Sequence, residues 1–529
     1  MAQNVERKGF VSSLSDDIMW SIFTMNAIVS RFSVYQLRHS TAPLVVVRSC
    51  SHVCARWRRI IMDSPSLWAR AVHFNVLSEL KSCWQEEIMR RAGRGPLSID
   101  ARVRRSNDLK YHEKKALLCT ILKDHWDQLE YLAISVDNVR DLGNASWANL
   151  LRPAPNLRGL DIECSSSPFG PGEKLFGDYA PSLESMVLRS FGFKITPRTP
   201  WITKITTLDV SDEMTMSIAE WMEGLEHMPL LRSLTLRNYS AAWPPSTSLV
   251  KRVQLRYLQL IDLHCLTQMW PVFLDQITPG VGCRFHVQSY SRTQASTEEM
   301  SLIKKTLSRY SRNVIAGRTV VYMELRVSPN YLQLKGGMSG MDGIFPMWVS
   351  ISGIRLPELL EPFYGCDFSK IARLEIGHTD KHPSDPACQA ALLLFFSAFN
   401  SLQELQTNLT YICDIHYSAN NHHSTGGEGA LTEAVVFPKL RKLEIVRGNS
   451  YENPETLMSF LSTRKDQGVP ITVLDISYWQ KLVDPKEFDN FDEMLVLYRV
   501  RNQSVYQHVC GGGNGLKDTY VKPWSSLQF

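Results

Sequence analysis

A chain of 529 residues that is 44% hydrophobic and 21% charged has the composition of a globular protein and indicates neither disorder nor a membrane class. It is too long for one compact core unless repeats let it grow in one dimension. Its net charge of +5 is too dilute for a nucleic-acid binder, which concentrates Lys and Arg on one face, and the basic run Arg102, Arg104 and Arg105 reads as a solvated loop. The longest apolar run, Ala390–Phe396, is far short of the ~20 residues needed to cross a bilayer, so no membrane is expected. Residues 1–10 are polar and predict no secretory leader, and eleven cysteines without a tight framework predict reduced thiols in a cytoplasmic and/or nuclear setting.

The first predicted element is a helix over Leu14–Met25, with Leu14, Ile18, Ile22 and Met25 at helical spacing and Ser15, Asp16 and Asp17 at its start, where acidic side chains complement the helix dipole. A second helix is predicted over Leu44–Ile61, its apolar stripe formed by Val46, Val47, Cys50, Val53, Trp57, Ile60 and Ile61. Pro65 is expected to stop it, with Leu67 and Trp68 returning to the core. Two such helices bury too little surface to stand alone, since each buried Leu, Ile or Trp contributes ~1.5–3 kcal/mol against ~1–2 kcal/mol per ordered residue. They predict a docking partner.

The segments Leu14-Ser-Asp-Asp-Ile18, Ile22-Phe23, Val53-Cys-Ala-Arg-Trp57-Arg-Arg-Ile60 and Ser64-Pro-Ser-Leu-Trp68 together resemble an F-box, and more narrowly the F-box of the large mushroom-type (basidiomycete) fungal families. The following Glu86–Ile99 segment, a helix leading through a small-residue turn to a Pro-Leu-x-Ile strand, is similar to those proteins as well. Two departures stand out: Ser15 where the family usually has proline, and a longer loop over residues 27–43. The resemblance implies a helical module that docks on a Skp-family adaptor and, through it, on cullin and RING proteins. It implies an adaptor-binding or F-box core role for Leu14, Ile18, Ile22, Val53, Trp57 and Ile60.

Beyond residue 95 a Leu-x-x-Leu-x-Leu triplet recurs: Leu129/Leu132/Ile134, Leu157/Leu160/Ile162, Leu183/Met186/Leu188, Ile205/Leu208/Val210, Leu231/Leu234/Leu236, Leu255/Leu258/Leu260, and later Ile371/Leu374/Ile376, Leu440/Leu443/Ile445 and Ile471/Leu474/Ile476. The first six copies start 22 to 28 residues apart, the period of a leucine-rich repeat in which one strand and its return segment stack on the next copy. Return helices are predicted at Ile218/Trp221/Met222/Leu225, behind the capping box Ser296-Thr-Glu-Glu299, behind Asn453-Pro454, and as a buried helix over 389–399. The triplet is lost between Leu260 and Ile371, where Thr319–Val327 and Phe345–Ile354 read as strands.

The expected fold class is α/β: a small N-terminal helical module (1–80, core about 12–74), then a degenerate leucine-rich-repeat-like solenoid (81–479), a parallel-strand horseshoe with outer helices, interrupted around 261–370, and a C-terminal cap or tail (480–529). Two separate arrays are the alternative. Residues between the leucines are expected to point away from the core and to line a binding face. Those singled out as candidate substrate contacts are Arg158, Asp161, Asp209, Arg232, Arg256, Arg441 and Glu444.

No nucleophile elbow, zinc-protease helix, phosphate loop or carboxylate pair stands out, so no catalytic residue and no cofactor is expected. Cys50 and Cys54 read as core, Cys413, His416, His422 and His423 as a surface loop, and Cys510-Gly-Gly-Gly-Asn-Gly515 as a turn, so no metal site is expected either. The function that follows is a substrate-recognition subunit of an SCF-type cullin-RING ubiquitin ligase that holds an unidentified target protein. The alternative is an interaction scaffold outside any ligase.

Overall fold

The computed structural model describes residues 14–27, 43–104, 110–169, 173–191, 199–211, 216–238, 251–291, 295–338, 345–377, 385–421, 435–446, 454–479, 484–499, 505–511 and 519–521. The chain divides into two compact units, Met1–Thr235 with Trp243–Lys251, and Leu236–Ala242 with Arg252–Phe529. The expected boundary near residue 80 lies inside the first.

The first unit opens with helices α1 (Asp16–Ala27), α2 (Pro43–Ser51), α3 (Ala55–Met62), α4 (Pro65–Ala71), α5 (Phe74–Glu79) and α6 (Ser82–Ala92), followed by β1 (Leu97–Val103) and α7 (Tyr111–Asp124). The single helix expected over 44–61 is two. Cys54 has extended backbone (φ −156°), and its sulfur accepts from the Trp57 N–H at 3.5 Å, so it starts α3. The Ser51 carbonyl freed by the break accepts from Arg58 Nε at 3.1 Å. Pro65 does not end a helix but opens one, because at the first helical position its missing N–H costs nothing. Leu67 and Trp68 are buried as expected, and Trp68 Nε1 donates to the Ile61 carbonyl at 2.9 Å. Helices α4 and α5 pack on β1, whose Leu97, Ile99, Ala101 and Val103 are fully buried.

Strands β2 (Leu129–Val136), β3 (Gly159–Glu163), β4 (Ser185–Arg189) and β5 (Thr207–Ser211) continue from β1, each parallel to the one before, with α8 (Asn144–Trp147) and 3-10 turns between them. The register sets equivalent triplet residues side by side: Leu132, Leu160, Met186 and Leu208 form one row, and Ile134, Ile162, Leu188 and Val210 the next. All are buried, so each return segment covers the apolar face of its own strand and its neighbour's. Helix α9 (Ile218–Glu226) begins at the Ser217/Glu220 capping box and leads to β6 (Ser233–Asn238).

The second unit holds β7 (Val253–Leu255), β8 (Leu260–Leu266), α10 (Trp270–Asp275), β9 (Ile277–Pro279), β10 (Arg284–Tyr290), α11 (Thr297–Gly317), β11 (Tyr322–Ser328), β12 (Tyr331–Gly337), β13 (Met347–Ser352) and α12 (Leu356–Leu360). It continues with β14 (Arg373–Gly377), α13 (Pro386–Phe396), β15 (Glu404–Thr407), α14 (Leu409–Asn421), β16 (Lys442–Val446), α15 (Pro454–Asp466), β17 (Val473–Tyr478), β18 (Leu495–Arg499), β19 (Val505–Val509) and β20 (Thr519–Val521). Its main sheet runs β8, β10, β13, β12, β11, β14, β15, β16, β17, β18, β19, β20. Among the described residues, only β12, β19 and β20 enter through antiparallel pairings. The stretch in which the triplet disappears is therefore not a gap: a hairpin, β11–β12, is inserted between β10 and β14, and β13 returns beside β10. Strands β10 and β12 were not expected.

The triplet assigned to Leu255/Leu258/Leu260 is out of phase by three residues. Leu255 belongs to a small parallel pair, β7 with β9, and the buried residues of the repeat strand are Leu258, Ile261 and Leu263, while Leu260 is half-buried. The predicted return helices are present as α9, α11, α13 and α15, and Ser296 caps α11 by accepting from the Glu299 N–H at 3.2 Å. The fold is thus α/β, with parallel-dominated strand-and-return repeats in each unit.

Candidate protein-interaction surfaces

On α1 the side chains that turn inward are Met19 and Phe23, both nearly inaccessible. Ile18, Ile22 and Met25, spaced i, i+4 and i+7 and hence on one face, stay in solvent at 49%, 37% and 69% exposure. Phe23 meets the half-buried Trp57 edge to face, ring centroids 5.1 Å apart. Ile60 is buried, Leu14 is half-buried, and Val53, in the break between α2 and α3, is 62% exposed. Of the six residues expected in this role, one is core, two are partly covered, and Ile18, Ile22 and Val53 face solvent. Asp16 fastens α1 to α3. Arg56 Nε donates to its Oδ1 at 2.8 Å and Arg59 Nη2 to its Oδ2 at 3.2 Å, and the Arg56 hydrogen bond holds the Asp16 carboxyl below its usual range. Of the two cysteines read as core, Cys50 is half-buried and Cys54 exposed.

In the first unit the open face of the sheet carries the residues on either side of each third triplet position. One row across the strands is Asp100, Ala133, Asp161, Val187 and Asp209, and the next is Arg102, Ser135, Glu163, Arg189 and Ser211. Arg189 Nη1 donates to Asp161 Oδ1 at 2.9 Å, and Arg104 Nη2 to Glu163 Oε1 at 3.1 Å. Burial nevertheless pushes Asp161 up to about 6, against the pull of Arg189 and with the push of Asp209, Asp100 and Glu163.

In the second unit the equivalent row is Asp262, His286, Trp348, Lys335, Glu324, Glu375, Gln406, Glu444 and Asp475. At one end His264 Nε2 lies 3.0 Å from Asp262 Oδ1; burial would raise Asp262, but the His264 contact and nearby positive charge bring it below its ordinary value. Lys335 reaches over the Phe345 and Trp348 rings and pairs with Glu324 at 3.1 Å, and Arg326 holds the other oxygen of Glu324 at 2.7 Å. Tyr322 donates to Glu375 Oε2 at 2.7 Å, and burial, then that carboxylate, raises its hydroxyl. Burial, reinforced by Asp475 on the adjacent strand, raises Glu444.

Asp161, Asp209 and Glu444 therefore stand on the open faces as expected from alternation. Arg158, Arg232 and Arg441 do not. Each precedes its strand by one residue and is exposed, in a turn whose backbone bonds to the preceding copy: Arg158 N–H to the Glu130 carbonyl and Arg232 N–H to the Thr206 carbonyl, both at 2.7 Å. Arg256 sits in the turn between β7 and β8. The first leucine of the triplet lies ahead of the pleat, so the residue after it is not on the alternating face. Of the missed face residues, Arg189, Glu163 and Asp262 follow a second or third position of the triplet in its observed phase, whereas Glu324 and Lys335 lie on β11 and β12, which carry no triplet. His422 and His423 lie outside the described residues, and His416 is buried with Nε2 2.9 Å from Ser459 Oγ.

No family model matches the chain, and no curated protein matches it. The F-box resemblance therefore stands on its residues alone. Among solved structures fourteen chains match. One is the leucine-rich repeat-containing protein LegL7 from Legionella pneumophila, 11% identical, with 60% of this chain and 93% of that chain covered and a TM-score of 0.22. The repeat architecture described above rests on strand register, not on that likeness.

Proposed function

We propose that this protein is a non-catalytic adaptor with two kinds of interaction surface: an F-box-like helical module that docks on a Skp-family adaptor, and strand-and-return repeats whose open sheet faces hold a target protein. Linked through cullin and RING proteins, it would act as a substrate receptor of an SCF-type ubiquitin ligase. The observation that carries this reading is the exposed apolar stripe Ile18, Ile22 and Met25 on a helix whose other side is already buried. Three large apolar side chains in line on one short helix, left in water, are what a helical docking face looks like before its partner arrives.

The chemistry asked of such a protein is proximity. Holding a target lysine beside a ubiquitin thioester raises its effective concentration without any acid, base or nucleophile from this chain. The open face of the second unit favours a target with Lys or Arg at the contact, because Glu444 and Asp475 are adjacent and like-charged. Co-purification of the full chain with a Skp-family adaptor tests the reading. Adaptor should be retained by the native chain and lost from Ile18→Glu/Ile22→Glu, whose changes are at exposed positions. Retention by both would place the adaptor contact elsewhere than on this stripe, and retention by neither, from folded preparations, would leave an interaction scaffold outside any ligase.

A further inference from the structure

The end of β19 gathers three groups for which the adaptor reading has no use. His508 lies on β19 and Cys510 two residues further on, so the extended chain sends both side chains to the same side. Asp489 follows the 3-10 turn Pro485–Phe488 that leads into β18. One ligand atom from each of the three lies within 4.8 Å of the others. His508 Nε2 donates to Asp489 Oδ1 at 2.7 Å. Cys510 is 1% exposed and pinned at both backbone groups: its N–H donates to the Met494 carbonyl at 2.9 Å and its carbonyl accepts from the Glu493 N–H at 3.2 Å. Asp489 is half open to solvent, which gives an ion a way in. Gly511, at φ +74°, has no Cβ to collide with Asp492 Oδ1, which would stand 2.7 Å from one, so a second carboxylate lies alongside.

We propose that Asp489, His508 and Cys510 form a divalent metal site of the zinc type, with carboxylate, imidazole and thiolate as protein ligands and a fourth position open to water. A thiolate beside an imidazole selects a borderline-soft ion such as Zn(II) over Mg(II) or Ca(II), which take oxygen ligands. Ligand atoms at ~2.0–2.3 Å from a tetrahedral zinc stand ~3.3–3.8 Å apart, so this cluster needs to close by no more than ~1–1.5 Å to hold the ion.

Loading breaks the Cys510 S–H bond, forms a sulfur–metal bond and passes that proton to solvent. The imidazole proton moves from Nε2 to Nδ1, freeing the Nε2 lone pair, and Asp489 exchanges its hydrogen bond for the metal. Without the ion, burial and then Asp489 and Asp492 push the Cys510 thiol up to about 11, so it keeps its proton at neutral pH. The ion would tie the end of β19 to the segment ahead of β18, where the sheet changes from parallel to antiparallel pairing.

The test uses the full reduced chain, stripped with chelator and reloaded with Zn(II), with metal counted by mass spectrometry and affinity read by competition with a chromophoric chelator. One tightly held zinc is expected. Cys510→Ser and His508→Ala should each weaken it ~100-fold or more, and Asp489→Asn, at a half-exposed position that folding tolerates, ~10-fold or more. Cobalt(II) should give a thiolate charge-transfer absorption in the native chain that Cys510→Ser lacks. No retained zinc overturns the proposal. So does zinc held with unchanged affinity by Asp489→Asn and His508→Ala, since it would then sit on other cysteines.

Discussion

Asp161→Asn should make the protein gain stability relative to the native chain as pH rises from 4 to 7. Asp161 is on β3, between Ala133 and Val187, with Asp100 and Asp209 two strands away on either side and Glu163 two residues along. Desolvation and three carboxylates oppose one guanidinium, and the carboxyl rises from 3.8 to about 6. A native pKa above the unfolded one means that the folded chain binds this proton more tightly. Its contribution is therefore full below pH ~4 and is lost as pH climbs through ~6. Two pKa units at ~1.36 kcal/mol each set a ceiling near 3 kcal/mol. Residual solvent contact of the side chain (23%) and adjustment of Arg189 bring the expectation to roughly 1–2 kcal/mol. Asparagine mimics the protonated acid, so native and variant should unfold at nearly the same urea midpoint at pH 4 and separate by pH 7, the variant ahead. The difference between the two proteins cancels every other titration. A variant that loses ground toward pH 7 would refute the reasoning, because the Arg189 pair would then dominate and hold the carboxyl low.

Gly159→Ala places a Cβ about 2.3 Å from Tyr131 Cδ2 across the β2–β3 pair. It should cost ~1–3 kcal/mol in urea unfolding, and Tyr131→Ala in the same chain should return most of that loss. Trp57→Ala would cost ~3–5 kcal/mol for a fully buried indole, but Trp57 is half-buried and meets Phe23 only by an edge. About 1–3 kcal/mol is expected from thermal melts, with the sheet's circular dichroism unchanged below the transition.

Strands carrying a Leu-x-x-Leu-x-Leu triplet were legible because burial of the second and third positions recurs every 22 to 28 residues, α11 was legible from its capping box, and α9 from its apolar spacing. Strands β10, β15, β18, β19 and β20 were not read from the sequence, and three further features were hidden for a physical reason. Short helices that show the same apolar face look like one helix, which hides the break at Cys54: nothing in His52-Val53-Cys54 is a strong breaker. Leu255 and Leu258 are both buried, so spacing alone cannot tell that the first pairs with β9 and the second begins the repeat. The β11–β12 hairpin breaks the period, because a strand returning directly through Pro329 and Asn330 has no return segment to mark it. The same phase error explains the candidate face residues. Asp161, Asp209 and Glu444 flank a second leucine and were found, while Arg158, Arg232 and Arg441 follow a first leucine, ahead of the strand.

Whether the α1 stripe is a docking face is tested most directly by titrating a purified Skp-family adaptor into the full chain and into Ile18→Glu/Ile22→Glu. Ile18 and Ile22 have 49% and 37% of their surface left to bury, which at ~1.5–3 kcal/mol for a whole side chain corresponds to a loss of roughly 10- to 100-fold in affinity. Measurable binding by the native chain that falls by at least ~10-fold in the variant is the expected result. Equal affinities, or no binding by a folded native chain, would contradict it.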